Sequence, residues 1–158
     1  MVITQDAVIN AIAEKLHQAF PEWTIYVNQQ EQEFTRPSLF IDPVYWDRER
    51  TNIGTDLTTF YVTVYCFEKL TVNRNGDLFT ALQTANQIEA LFRMETLPVG
   101  DRVLKIQTSR GSQERGECDV DMVISWYDWN GFDPDARYPL MKQLHTRMDA
   151  ETSGGADR

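Results

Sequence analysis

Residues Thr58 to Phe67 constrain this chain more than any other segment. Phe60, Val62, Val64 and Cys66 alternate with Tyr61, Thr63, Tyr65 and Phe67, a period-two run of β-branched and aromatic residues that reads as a strand. Both of its faces are largely apolar, so neither can be left in water. One face predicts a helix packed over it, and the other predicts further protein or a partner.

The flanking sequence supplies candidates for that cover. Val8, Ile9, Ile12, Leu16 and Phe20 recur at helical spacing after Thr4, a capping residue type, and Pro21 ends the run. Trp23 to Val27 reads as a strand, and Asn28 to Glu33 as a polar loop. Ser38 to Ile41 resumes the β pattern, and Val44 to Arg50 continues it past Pro43, which has no donor for a ladder and predicts an edge strand or a bulge. Asn52, Gly54 and Asp56 supply turn chemistry between this segment and the Thr58 strand.

A second helix is expected from about Asp77 to Met94, after a turn at Asn73 to Gly76. Leu78, Ala81, Leu82, Ala85, Ile88 and Phe92 form its expected buried stripe against Phe60, Val62, Val64 and Cys66. Strands are expected at Val103 to Gln107 and Cys118 to Trp129, joined by a polar loop, Thr108 to Glu117, that holds Gly111 and Gly116. Beyond Asn130 the pattern decays, leaving a short helical spacing at Leu140, Met141, Leu144 and Met148 and an expected disordered end from Glu151 to Arg158. The class is α+β: a mostly antiparallel sheet of five or six strands packed by two helices, with a long β-hairpin and an extended C-terminal tail. Residues 1–132 read as one domain and 133–158 as an extension.

At 158 residues, 42% of them hydrophobic, the chain has material for a full core without a metal or disulfide scaffold. Its formal charge of −9 opposes capture of phosphate backbones, so free nucleic acid is a poor partner. It lacks an apolar run of membrane length and an N-terminal secretory pattern, so the expectation is a protein made in a reducing cytosol with no membrane partner. Cys66 and Cys118 are too few for a disulfide framework or a zinc site, and both fall at inward parity in strands, as buried thiols.

The common catalytic and cofactor patterns are missing. His17 and His145 have no second ligand at metal-binding spacing and read as surface histidines, and the sequence contains no GxSxG, GxGxxG or phosphate-loop motif. Asp119 and Asp121 share a strand face and could bind a cation or act with an acid elsewhere, but a solvated face opposite Val120 and Met122 is the favoured reading. Asp133 and Asp135 flank Pro134 as turn residues. The expectation is a non-enzyme with no cofactor and no metal. A small hydrolase using Asp119 and Asp121 is the enzymatic alternative.

Contact chemistry is more visible. Arg48, Arg50, Arg110 and Arg115 fall at expected hairpin tips, where guanidinium forks could meet a neighbour's carboxylates, and Asp56 closes the first of these tips. On the second helix, Gln83 and Gln87 lie on a face unusually poor in charge, which suits either solvent or a subunit contact. Trp46, Trp126, Tyr127 and Trp129 fit core or interface.

Three segments carry a family resemblance: Pro37 to Ile41 opening the hairpin, Phe60 to Phe67 closing it, and Val120 to Tyr127 as the last strand. Over residues 4 to 129 this order of elements resembles the tail terminator proteins of long-tailed phages and prophages. The resemblance implies a ring, typically a hexamer, that caps the last ring of tail tube protein, stops its polymerisation and offers the surface for head joining. It implies a place at the head-proximal end of the virion tail, assembly in the host bacterial cytoplasm, and contact with a head completion or connector protein. DNA would pass through the ring lumen without specific binding, and an acidic lumen would repel it. The Asp- and Pro-containing C-terminal stretch departs from the family pattern. A head-to-tail connector of similar size and acidity is the structural alternative.

Overall fold

The computed structural model describes residues 2–27, 33–73, 75–114 and 116–133, with backbone alone at 109, 110 and 113. Helix α1 spans Gln5–Ala19 and is followed by β1, Thr24–Val27, then β2, Ser38–Asn52, and β3, Thr55–Phe67. Helix α2, Leu78–Leu91, leads to β4, Thr96–Val99, β5, Arg102–Glu114, and β6, Glu117–Trp129. The strands form one sheet in the order β1-β2-β3-β6-β5-β4. Among the described residues only the β1 and β2 pair is parallel; the other pairs are antiparallel, as the α+β reading expects.

Alternation divides the sheet into two unlike faces. Leu39, Ile41, Phe60, Val62, Val64, Cys66, Cys118, Val120, Met122, Ile124 and Trp126 are buried on one face beneath Val8, Ile12 and Leu16 of α1 and Ala81, Ala85 and Ile88 of α2. Each large side chain removed from water there contributes roughly 1.5–3 kcal/mol, which is what holds both helices down. The opposite face presents Phe40, Asp42, Tyr61, Tyr65, Asp119 and Asp121, and no described helix lies on it.

Several local expectations change. Thr4 occupies the N-cap position of α1, but its side chain makes no capping hydrogen bond; its carbonyl accepts from Val8 N at 3.2 Å. Asp77 does cap α2, its carboxylate accepting from Phe79 N and the Thr80 hydroxyl, each at 3.0 Å. The buried stripe of α2 is Ala81, Thr84, Ala85 and Ile88, continued by Phe92, whereas Leu78 and Leu82 are 45% and 39% exposed. The seam is rotated because Thr84 must face inward to donate its hydroxyl to the buried Glu68 carboxylate, and small residues beside it let the helix approach the sheet.

The expected polar loop from Thr108 to Glu117 is instead a continuation of β5 and β6, paired through Glu114↔Glu117. Its polar residues fit a strand because one side of this end of the sheet faces water, and Gly116 lies in the turn that precedes β6. Gly116 makes that turn at φ +78, within reach of the Gly76 backbone, where a side chain has no room. Strand β4 had no counterpart in the sequence reading. It holds Pro98, which an edge strand tolerates. Pro43 marks the expected irregularity, a register shift between Pro43 and Tyr45. The polar run at 28–32, Arg74 within the expected turn, and the Leu140 to Met148 spacing with the rest of the C-terminal stretch lie outside the described residues.

Candidate assembly surface

The register places the β2–β3 and β5–β6 turns at opposite ends of the sheet. Asn52↔Thr55 and Thr55↔Trp129 define one end, Ser38↔Phe67 and Phe67↔Glu117 the other. Arg48, Arg50 and Asp56 therefore gather at one end, and Arg110, whose backbone is paired opposite Asp121 within β5, belongs to the other. Arg110 is thus a strand residue and not the loop residue expected. Arg115 and His145 lie outside the described residues, and Asp135 does also.

At the β2–β3 end the side chains form a mixed aromatic and charged surface. The Arg48 guanidinium lies 5.6 Å from the centroid of Trp46, which is 52% exposed. Arg50 Nε stands 3.8 Å from Asp56 Oδ1, with Arg50 largely in solvent, so this pair adds little to stability. Asp56 also accepts from Asn130 Nδ2 at 3.2 Å, and Asn130 N donates to the Gly54 carbonyl at 3.1 Å. Behind this end, Tyr45 stacks on Tyr61 with ring centroids 4.2 Å apart.

Two anchors here were invisible to spacing arguments. Asp128 accepts from Trp126 Nε1 at 2.8 Å and forms an ion pair with Arg102, which also donates to the Tyr127 carbonyl. At the other end, Arg36 lies 5.2 and 5.3 Å from the Phe34 and Phe67 rings. It donates to the Glu68 carbonyl at 3.0 Å and to Glu117 Oε1 at 2.9 Å. Arg36 and Glu117 are 81 positions apart, so no local pattern could pair them.

The helix-free face holds an open concavity of about 530 Å³ lined by Phe40, Asp42, Tyr65, Phe67, Ser112 and Asp119 among others. Asp119 and Asp121 do share this face, each tied to a hydroxyl: Ser112 donates to Asp119, and Thr63 donates to Asp121 at 2.7 Å. Burial first, then the charges of Asp42, Asp119 and Asp121, push the Tyr65 hydroxyl above its ordinary range. Among the described residues no group of three or more His, Cys, Asp or Glu could hold a metal ion. No described helix is long and apolar enough to cross a membrane. His17 is exposed on α1, and Gln83 and Gln87 are exposed one turn apart on α2.

A sheet with a bare acidic and aromatic face, and exposed aromatics and arginines at one end, offers surfaces for protein contact. A family model described as phage tail terminator protein matches residues 7–130, and the chain belongs to that family. It is a structural protein of the phage virion tail whose family meets other tail and head proteins. A search of curated proteins finds no match. Among the solved structures that are similar, one matches at 15% identity over 84% of this chain and 99% of its own, with a TM-score of 0.42.

Proposed function

We propose that this chain is the tail terminator itself: a ring, typically of six copies, that sits on the last ring of tail tube protein, ends polymerisation and presents the head-joining surface. The observation that carries the reading is the family match across nearly all of the described sheet and both helices. The surface chemistry agrees with it. Arg48, Arg50 and Asp56 occupy the end of a hairpin that extends past the buried core, where they reach an adjacent subunit or the tube, and Gln83 and Gln87 give α2 a low-charge contact face. The net charge of −9 suits a lumen that DNA crosses without being held.

The protein acts by contact, without cofactor or catalysis, at the head-proximal end of the tail, and its outward partner is a head completion or connector protein. Residues 1–132 do this work, with 133–158 as an extension. Negative-stain imaging of the purified protein with tail tubes tests the reading. Rings seated at one end of each tube support it, and protein bound along the tube wall or not at all contradicts it.

A further inference from the structure

Among the described residues, both margins of the sheet carry a stretch of strand that is paired on one side only. On one margin β1 covers β2 from Ser38 to Ile41, but β2 continues to Asn52 with only β3 beside it among the described residues. On the other margin β4 covers β5 from Arg102 to Lys105, and Ile106 N donates to the Glu95 carbonyl at 3.1 Å. From Gln107 to Glu114, β5 has only β6 beside it among the described residues.

These bare edges are complementary in position. That of β2 lies toward the Gly54 end and that of β5 toward the Gly116 end, and the two strands run in opposite directions through the sheet. Sliding a second copy along the strand direction therefore sets its β2 edge against the first copy's β5 edge, antiparallel. The regular part of each edge lies clear of the register shifts: Tyr45 to Arg50 in β2 and Arg110 to Glu114 in β5. Each is of ordinary strand length.

We infer that neighbouring subunits join by β-sheet extension, Tyr45–Arg50 of one copy pairing antiparallel with Arg110–Glu114 of the next. This rests on the ring reading above and names its contact. An unpaired edge leaves a row of N–H and C=O groups as a template for another strand. Neither stretch holds Lys or Pro, but Asp47, Arg48, Glu49 and Arg50 put both signs of charge on the β2 edge, which admits a partner strand only where the charges are matched. Because the two edges differ, their pairing is head-to-tail, and head-to-tail contacts close into rings when the rotation permits. A tube subunit would satisfy one edge and leave the other open, whereas a second copy satisfies both.

Side chains on the helix side agree in charge. Trp46 and Arg48 share the face of their partners Phe60 and Thr58, both buried on the helix side, and Arg50, opposite Asp56, continues the same face. In the neighbour that side of the β5 edge is flanked by α2, whose Glu89 Oε1 lies 3.2 Å from where a side chain at Gly111 would begin. The two arginines thus approach the side of the sheet that holds Glu89, the one carboxylate within α2, with Arg93 beside it.

Hydrogen exchange of the full chain, dilute and assembled, tests this. Amides in Trp46–Arg50 and Arg110–Glu114 should both exchange at least about tenfold more slowly on assembly. Asp47→Cys combined with Ser112→Cys, two exposed positions on the helix-free face, should give a ladder of disulfide-linked multimers under oxidation. Neither single variant should do so. Rings that form with no protection of these segments, or without a ladder, overturn the edge pairing and leave the ring reading standing. Protection of β2 alone, and only with tubes present, assigns that edge to the tube protein and overturns it too. A chain that stays monomeric on tubes overturns both.

Discussion

The Trp129 ring occupies the space that a side chain at Gly54 would need: a Cβ there would stand 2.2 Å from the ring. Strand β6 thereby closes over the β2–β3 turn, and the Asn130 hydrogen bonds to Gly54 and Ile53 carbonyls fasten it. Gly54→Ala should displace Trp129 at a cost of about 1 kcal/mol, the low end for overpacking because the ring is half in solvent. A red shift of tryptophan emission with a small loss in urea midpoint is the expected outcome. An unchanged spectrum would show that the ring does not close the turn.

The rotated seam of α2 separates two leucine-like positions by cost. Ile88 is fully buried, so Ile88→Ala should destabilise by roughly 2–5 kcal/mol, while Leu82→Ala, at an exposed position, should cost within about half a kcal/mol. Urea unfolding of both variants checks the assignment. Equal losses would return Leu82 to the core.

Much of the fold was legible because burial follows period. The Thr58 to Phe67 alternation, the α1 stripe and the Pro43 irregularity were all visible locally, and each lies where expected. The α2 seam was not, because it is fixed by a long-range bond from Thr84 to Glu68, and a helix carrying Leu, Ala and Thr on adjacent positions permits two seams. Strand β4 is short and contains Pro98, so its strand character comes from pairing with β5 and not from its own residues. Likewise Arg110 sits in a strand whose polar residues resemble a loop until β6 is placed beside them. Arg48 and Arg50 were expected at the hairpin tip but are paired residues of β2 close to its turn, whereas Arg36 and Arg102 gain their partners only from the folded sheet.

Glu68 should make stability depend on pH. Burial raises its carboxyl above the ordinary 4.5; the Thr84 hydrogen bond opposes this and Asp77 adds to it. A carboxyl raised on folding contributes stability that is fully present below its unfolded value and lost as pH rises through its folded value. Glu68→Gln should therefore gain stability relative to the wild type as pH rises above the ordinary 4.5. A stability difference that stays flat or moves the other way would place the charge in solvent.

Cys66 and Cys118 stand directly opposite one another on β3 and β6, both buried. The Cys118 thiol beside it, followed by burial, pushes the Cys66 thiol far above its usual range, and Cys118 is kept from reagents by its own burial. A thiol reagent should label neither in the native protein and both in denaturant. Rapid native labelling would place one of them at the surface.

Arg48→Glu with Arg50→Glu should leave the melting temperature within a degree or two, since exposed pairs contribute little, while weakening assembly by like-charge repulsion. Calorimetry and sedimentation separate the two effects. A loss of folding in parallel with assembly would make these arginines structural.

Tail length tests the central claim most directly. In a phage deleted for this gene, tails should grow past their normal length and lack heads, and the wild-type protein supplied in trans should restore a single length. The Arg48→Glu, Arg50→Glu protein should restore it poorly. Tails of normal, uniform length in the deletion itself would contradict the terminator account.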